Sequence, residues 1–124
     1  MNVVDSSGWL EYLADGPNAG FFAPAIHDSA HLLVSTICLY EVFKRLSLQR
    51  DQNQALTAVG ILYNGRLVDV TPEIALYAAE LSIEHKLAMA DSLILATARF
   101  YQATLWTQDE HFAGIAGVQY VKKK

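Results

Sequence analysis

Two patterns of apolar residues alternate along this chain. Short apolar runs containing β-branched residues, which are typical of buried strands, occur at residues 2–4, 31–36, 66–70, 103–107 and 118–121. Longer segments with the apolar spacing of helices lie between them, at residues 6–14, 18–27, 36–50, 51–63, 72–86 and 88–101. The alternation predicts the α/β fold class, as an α/β sandwich around a mainly parallel sheet.

The predicted helices also carry start and stop signals. Ser6 is expected to cap the first helix, and Pro72 to lie in the first turn of the fifth. Asn64 and Gly65 are expected to end the fourth helix. No linker, internal repeat or low-complexity stretch interrupts the pattern, apart from the lysines at residues 122–124. We therefore expect one domain over residues 1–124.

The composition is rich in apolar residues for a domain of this kind. Apolar residues make up 52% of the sequence and charged residues 18%, so we expect partner chains to cover part of the apolar surplus. The helical segments around Phe21 and Phe22 and from Leu46 to Leu56 are the candidate contact surfaces, because they combine apolar residues with few charges.

Charge and cysteine content narrow the class of protein further. The formal net charge of −4 argues against general affinity for nucleic acids, which depends on basic residues neutralising phosphates. Cations bound by clustered acids would cancel part of the negative charge and weaken that objection. The basic residues that could then contact a phosphate backbone are Lys44, Arg45, Arg50, Arg66, Lys86 and Arg99. The single cysteine, Cys38, and the lack of a leader or membrane-spanning pattern predict a cytoplasmic protein.

Three acids follow predicted strands. Asp5 comes directly after the first strand, and Asp109 follows the fourth, two residues after Thr107. Glu41 lies just over one turn into the helix that leaves the second strand. Because ligands bind outside the carboxyl ends of parallel strands, where these ends share one edge of the sheet, we expect the three side chains to converge.

A fourth acid, Asp91, lies within an apolar stripe of its predicted helix. Its helical neighbours are Leu87, Ala88, Ile94, Leu95 and Ala98. A carboxylate there must be compensated, because an unpaired buried charge costs several kcal/mol or loses its ionisation. The alternative interpretation is an acid in the first helical turn, where the helix dipole favours it.

Each of the other acids has an ordinary interpretation as well. Asp5 and Asp109 could cap the helical segments that follow them, and Glu41 could pair with Arg45 four residues on. Capping or pairing explains each acid singly, but it does not explain why all four lie at matching topological positions. Two carboxylates about 5 Å apart repel by roughly 3 kcal/mol at an effective dielectric of about 20, so such a cluster indicates a bound hard cation. Mg²⁺ or Mn²⁺ there would support hydrolysis of a phosphodiester.

Four segments of the chain, VVDSSGWLEYL, STICLYEVFKRL, AMADSLILATA and LWTQDEHF, resemble the four motifs of PIN-domain nucleases. The similarity extends over essentially the whole chain and is strongest to the VapC-type toxins of type II toxin-antitoxin systems. It implies an α/β/α sandwich with a five-stranded, mainly parallel sheet, and endoribonuclease activity that depends on Mg²⁺ or Mn²⁺. It also implies an RNA substrate, a homodimer and inhibition by a cognate antitoxin.

The resemblance assigns roles to individual residues. The catalytic acids and metal ligands that it implies are Asp5, Glu41, Asp91 and Asp109. The residues expected beside the RNA substrate are Ser6, Thr107, Arg45 and Arg99.

Other interpretations stay open at this point. A PIN-domain nuclease that processes RNA without being a toxin fits the same motifs, as does a non-catalytic, protein-binding member of the fold. A phosphoacceptor signalling domain fits less well, because Ser6 follows Asp5 where a second acid is needed and Asp69 falls inside a predicted strand.

His111 is interpreted as a surface residue. The following are interpreted as core or interface aromatics rather than base-stacking platforms: Trp9, Phe21, Phe22, Tyr40 and Trp106.

Overall fold

The computed structural model describes all 124 residues and contains five β-strands and six α-helices. In chain order these are β1 (Asn2–Val4), α1 (Ser6–Leu13), α2 (Ala19–His27), β2 (Leu32–Ser35), α3 (Thr36–Gln49), α4 (Gln52–Val59), β3 (Arg66–Val68), α5 (Pro72–His85), α6 (Met89–Phe100), β4 (Thr104–Thr107) and β5 (Val118–Tyr120). Short 3-10 turns occupy Ser29–His31, Leu62–Asn64 and Glu110–Phe112.

The five strands form one sheet in the order β3-β2-β1-β4-β5, and every neighbouring pair is parallel. The chain moves outward from β1 through β2 to β3 and then returns across the sheet to β4. Crossovers between parallel strands are right-handed, so this reversal brings helices onto both faces of the sheet. The expected α/β/α sandwich with a five-stranded parallel sheet is therefore confirmed.

The central strands β1 and β2 are recognisable in the sequence because they are buried on both faces. Val3, Val4, Leu33, Val34 and Leu105 have no exposed surface, and they belong to one continuous cluster of buried apolar side chains. A strand buried on both faces reads as an unbroken apolar run instead of alternating apolar and polar residues.

Two predicted details are wrong: the cap of the first helix and the end of the third strand. The first helix is capped by Asp5, not Ser6, because Asp5 has extended backbone and its side chain accepts a hydrogen bond from the Gly8 amide. Strand β3 ends at Val68, so Asp69 lies outside the strand and is exposed. The Asp5–Ser6 sequence still lacks the adjacent acidic pair of a phosphoacceptor domain.

The predicted fourth helix is shorter than expected. It begins after Asp51, which caps it through the Gln54 amide, and it ends at Val59 instead of Tyr63. The chain then tightens into a 3-10 turn that buries Leu62 completely. Burial of this one side chain favours the tighter turn over a continued α-helix.

Several apolar side chains are left exposed on the helices. Phe22 and Leu46 are buried in the core, so they offer no contact surface of their own, although Leu56 is 57% exposed. The most exposed large apolar side chains are Ile83, Leu48, Met89 and Leu76, with 82%, 77%, 76% and 72% of their surface accessible. None of the helices is long and apolar enough to cross a membrane.

Candidate active site

The carboxyl edge of the sheet brings the four predicted acids to one side of the molecule. Asp5 directly follows β1, and Asp109 follows its neighbour β4 by two residues. Glu41 lies in the second turn of α3, which leaves β2 at the same edge. A short turn joins the end of helix α6 to the start of β4, which lies at the amino edge of the sheet. The first turn of α6, which contains Asp91, therefore lies at the opposite, carboxyl edge.

These four acids line a single open cleft of about 660 Å³. The same cleft is bordered by basic side chains from α3, the residue after it and the C-terminal tail: Lys44, Arg45, Arg50 and Lys123. The tail is fixed to the body of the protein, because the Asn18 side-chain amide donates to the carbonyl of Lys122 at 3.1 Å. The cleft thus combines an acidic floor with a basic border.

Asp5 is almost fully buried and is held by several hydrogen bonds. Its Oδ1 accepts from the Gly8 amide and the Ser7 hydroxyl, both at 2.8 Å, and its Oδ2 accepts from the Thr107 hydroxyl at 2.6 Å. Burial raises the pKa of Asp5 from 3.8 to about 6, although these hydrogen bonds oppose the rise. The capping interpretation of Asp5 is therefore correct geometrically, but capping accounts for only one of its three donors.

Thr107 connects two of the acids. Its hydroxyl donates to Asp5 and accepts a 2.9 Å hydrogen bond from the Asp109 amide. Thr107 is completely buried at the end of β4. Backbone hydrogen bonds hold the ends of β1 and β4 together, and this one side chain additionally orients the Asp5 carboxylate relative to the backbone of Asp109.

Glu41 is held by Ser6 and not by a basic residue. The Ser6 hydroxyl donates to Glu41 Oε1 at 2.5 Å. No ion pair joins Glu41 to Arg45, and the only ion pairs in the structure involve histidines. The surface-pair interpretation of Glu41 is therefore wrong, and neither lysine nor arginine neutralises any of the four acids.

Asp91 is the least compensated acid of the cleft. It is half-buried, accepts no hydrogen bond, and does not cap α6, whose N-cap residue is Ala88. The pKa of Asp91 is raised from 3.8 to about 6, mainly by burial and then by the negative charges of Asp109 and Glu41, whereas His111 opposes the rise. An ionised carboxylate in this position lacks its partner, as expected for a ligand of a cation.

His111 is a site residue that the sequence did not reveal. Its Nδ1 lies 2.8 Å from Asp109 Oδ1, and its backbone amide donates to the same oxygen at 2.9 Å. One ligand atom from each of Asp91, Asp109 and His111 lies within 4.8 Å of the others, whereas Asp5 and Glu41 lie outside this group. The Asp-x-His spacing produces the contact, because Asp109 caps the following 3-10 turn.

This donor set fits a divalent cation. Carboxylate oxygens are the ligands that Mg²⁺ and Mn²⁺ prefer, and imidazole is accepted more readily by Mn²⁺ than by Mg²⁺. Asp91 accepts no hydrogen bond within the protein, which leaves its lone pairs free for a metal. The observation that supports a metal here is thus the unpaired, half-buried carboxylate beside two further donors.

The predicted substrate contacts are divided between two regions. Arg45 lines the cleft, and Ser6 and Thr107 lie beside the acids that they orient. Arg99 is not brought to the cleft, because it lies in the last turn of α6 and donates to the Ala116 carbonyl at 3.0 Å. Eight residues of helix separate it from Asp91, which is about 12 Å along the helix axis.

Comparison with known proteins gives the class to which this fold and site belong. The PIN domain family model matches residues 3–118, so this chain belongs to the PIN domain family. The resemblance of the four segments to PIN motifs is confirmed. A comparison with curated proteins found no match.

Solved structures with the same fold include VapBC and other toxin-antitoxin proteins, in agreement with the resemblance to VapC-type toxins. A toxin-antitoxin complex from Klebsiella pneumoniae is 25% identical, with 96% of each chain covered and a TM-score of 0.76. DNA-bound VapBC from Salmonella typhimurium is 15% identical, covers 98% of this chain and 97% of its own, and has a TM-score of 0.79. VapC20 from Mycobacterium tuberculosis, a toxin that cleaves the sarcin-ricin loop, is 18% identical over 94% of this chain and 95% of its own, with a TM-score of 0.77.

Proposed function

We propose that this chain is a divalent-metal-dependent endoribonuclease, built as one PIN-like nuclease domain over residues 1–124, and that it is the toxin of a VapBC-type pair. The observation that carries the proposal is the uncompensated carboxylate of Asp91 beside Asp109 and His111, at the floor of a cleft bordered by basic side chains. The membership of the PIN family and the toxin-antitoxin proteins among its structural neighbours support it.

The residues that would hold the metal are the acids of the cleft and His111 beside them. Asp91, Asp109 and His111 form the compact group, and Asp5 and Glu41 complete the acidic floor beside it. A bound Mg²⁺ or Mn²⁺ would supply a water nucleophile near neutral pH and stabilise the oxygen that leaves the phosphorus.

The remaining residues of the site position these ligands. Ser6 holds the Glu41 carboxylate, and Thr107 holds Asp5 and the backbone of Asp109, so that the acids keep fixed orientations. Arg45 at the border of the cleft attracts the RNA backbone toward the acidic floor. Because the pKa values of Asp5 and Asp91 lie at about 6, both acids are mainly ionised at neutral pH and become mainly protonated only below about pH 6.

The proposed activity is tested with purified protein free of any partner. We expect it to cleave a structured, end-labelled RNA when Mg²⁺ or Mn²⁺ is present and to stop when EDTA is added. Addition of excess Mn²⁺ should then restore cleavage, which excludes damage by the chelator. Cleavage that continues undiminished in EDTA would show that the metal-dependent mechanism is wrong.

The proposed partners are a second copy of this chain and an antitoxin. Exposed apolar side chains such as Ile83, Leu48 and Leu76 support the presence of contact surfaces, and several structural neighbours are complexes with antitoxins. We expect a dimer in light scattering and growth arrest when the chain is expressed alone in the cytoplasm. Co-expression with a small protein from an adjacent gene should relieve the arrest.

The toxicity experiment also separates the toxin from its alternatives. A chain that cleaves RNA in vitro but leaves growth unaffected would be an RNA-processing PIN nuclease. A harmless, monodisperse monomer without nuclease activity would count against both the enzyme and its partners.

A further inference from the structure

One aromatic side chain differs from the others by its exposure beside the acids. Trp9 and Phe22 are fully buried, as expected of core residues. Tyr40 has 62% of its surface exposed and lines the same cleft as the four acids. It directly precedes Glu41 on α3, so the backbones of the two residues are about 3.8 Å apart.

The surroundings of Tyr40 are cationic. The ammonium group of Lys44 lies 5.7 Å from the centre of the Tyr40 ring, which is within the range of a cation–π contact. Lys44, Arg45 and Arg50 border the cleft, and none of them is paired with a carboxylate. The Tyr40 hydroxyl makes no hydrogen bond within the protein. Leu48, whose side chain is 77% exposed, also lines this cleft, but the Tyr40 ring lies among three uncompensated cations and beside the acids, which is an arrangement that suits a nucleotide.

We infer that Tyr40 is a stacking platform for a base adjacent to the cleaved phosphate. This inference rests on the proposed ribonuclease function and adds a base-contacting residue to its substrate-binding surface. The π-face of an aromatic side chain can stack on any base, provided that the face of the base is accessible. In a duplex both faces are covered by neighbouring pairs, so only a loop, bulge or single strand presents a base in this way.

The geometry assigns separate tasks to the ring and to the cations. Lys44, Arg45 and Arg50 neutralise phosphates, which attracts single-stranded and double-stranded RNA alike. Tyr40 contributes only where a base can leave its stack, and thereby distinguishes the two. Its position next to Glu41 keeps the stacked nucleotide close to the acidic floor.

The test is a binding titration of a fluorescent 12-nucleotide RNA with Ca²⁺ in place of Mg²⁺ or Mn²⁺, so that a cation neutralises the acids while cleavage is suppressed. The same strand is also used annealed to its complement. For single-stranded RNA we expect Tyr40→Ala to weaken binding by about tenfold, and Tyr40→Phe to stay within about twofold of the unchanged chain, because the ring is retained. Binding of the duplex should be unchanged by either substitution.

Two control variants identify the cause of any loss. Tyr63 is 59% exposed but lies in the 3-10 turn Leu62–Asn64, outside the cleft, so Tyr63→Ala should leave RNA binding unchanged. Lys44→Ala should reduce the slope of log Kd against log salt concentration by about 0.7 for the single strand, whereas Tyr40→Ala should leave the slope unchanged.

The outcomes distinguish this inference from the proposed function on which it rests. If Tyr40→Ala binds and cleaves single-stranded RNA as well as the unchanged chain, the stacking role is overturned while the nuclease proposal stands. If Tyr40→Ala instead weakens only the association between copies of the chain, the ring is an interface residue and the inference is wrong. If the unchanged chain neither binds nor cleaves RNA, both proposals fall.

Discussion

The hydroxyl of Thr107 donates a 2.6 Å hydrogen bond to the Oδ2 atom of Asp5, between the ends of two adjacent parallel strands. The same hydroxyl accepts from the Asp109 amide at 2.9 Å. Both Thr107 and Asp5 are shielded from water, so neither group has an alternative partner in solvent. A single threonine therefore orders two acids of the cleft.

The first prediction concerns this hydroxyl. Thr107→Val keeps the shape of the side chain but removes a donor to a buried carboxylate and an acceptor for a buried amide. We expect the free energy of unfolding to fall by about 2 kcal/mol near neutral pH, measured by urea denaturation. In the unchanged chain this hydrogen bond lowers the pKa of Asp5, so its removal should raise that pKa further.

Two variants serve as controls for this prediction. Thr107→Ser retains a hydroxyl and should recover most of the loss. Thr104 lies on the same strand, is half-buried and makes no side-chain hydrogen bond, so Thr104→Val should change stability by less than about 0.5 kcal/mol. Equal losses for Thr107→Val and Thr104→Val would mean that the strand tolerates valine poorly and that the hydrogen bond contributes little.

Much of the fold and part of the site could be predicted from the sequence for identifiable physical reasons. Strands such as Leu32–Ser35 are buried on both faces, and such strands are mostly apolar, so the sequence pattern is distinctive. The convergence of Asp5, Glu41 and Asp109 follows from the geometry of parallel strands, which places successive strand ends at one edge.

The rest of the site depends on local geometry that the residue pattern does not encode. His111 is exposed, and nothing in its sequence context distinguishes it from an ordinary surface histidine until Asp109 caps the turn between them. Tyr40 was expected in the core or an interface; it is not in the core, because its side chain is 62% exposed and borders an open cleft. Arg99 was expected beside RNA, yet it is bound to the Ala116 carbonyl away from the cleft.

A second prediction concerns the pH dependence of stability without metal. Burial raises the pKa of Asp5 from 3.8 to about 6, and that of Asp91 equally, so the folded protein retains protons that the unfolded chain has lost. The contribution of these two groups to the free energy of unfolding should therefore be greatest below about pH 4. It should fall as the pH rises toward 6 and level off above pH 6. Asp5 alone corresponds to about 3 kcal/mol, and half-exposed Asp91 to less.

This pH dependence is measured by urea denaturation in EDTA at about pH 5 and about pH 7.5. No lysine or arginine pairs with a carboxylate, so the structure has no ion pair of that kind to produce the opposite trend. With saturating Mn²⁺ we expect the order to reverse, because the acids must lose their protons to bind the metal. A metal-free protein that gains stability between these pH values would disprove the assignment of raised pKa values to the two acids.

A third prediction separates the two arginines that were expected to contact RNA. Arg45→Ala removes a cation from the cleft and should weaken RNA binding. The slope of log Kd against log salt concentration should fall by about 0.7 to 0.9. Arg99→Ala removes a hydrogen bond to the loop before β5 and should lower stability by about 1 kcal/mol without changing RNA affinity. An Arg99→Ala protein with impaired RNA binding and normal stability would show that RNA extends beyond the cleft.

A fourth prediction assigns the preference between metals to His111. Imidazole binds Mn²⁺ more readily than Mg²⁺, so His111→Ala should weaken Mn²⁺ binding by about tenfold and Mg²⁺ binding by less. The readout is the rise in melting temperature at increasing concentrations of each metal. His31→Ala is the matched control, because His31 is also exposed and lies 2.9 Å from an aspartate, but this aspartate, Asp28, is not one of the acids of the cleft. Equal effects of His111→Ala on both metals would exclude the imidazole as a ligand.

A fifth prediction concerns Asp91, whose isosteric substitution should affect stability and metal binding in opposite directions. Asp91→Asn removes a half-buried charge that is repelled by Asp109 and Glu41, so the metal-free protein should gain about 1 kcal/mol of stability. The same change deletes a ligand, so Mn²⁺ should raise the melting temperature of the variant less than that of the unchanged chain. Asp69→Asn, at an exposed acid beyond β3, should change neither quantity.

The most direct test of the whole account is the rate of RNA cleavage by Asp91→Asn in saturating Mn²⁺, measured beside the unchanged chain and Asp69→Asn. We predict that Asp91→Asn folds, is at least as stable as the unchanged chain without metal, and cleaves RNA slower by two or more orders of magnitude (roughly 3 kcal/mol in the activation free energy). Asp69→Asn should cleave normally. Full cleavage by Asp91→Asn would contradict the account, because the least compensated carboxylate of the cleft would then have no part in the reaction.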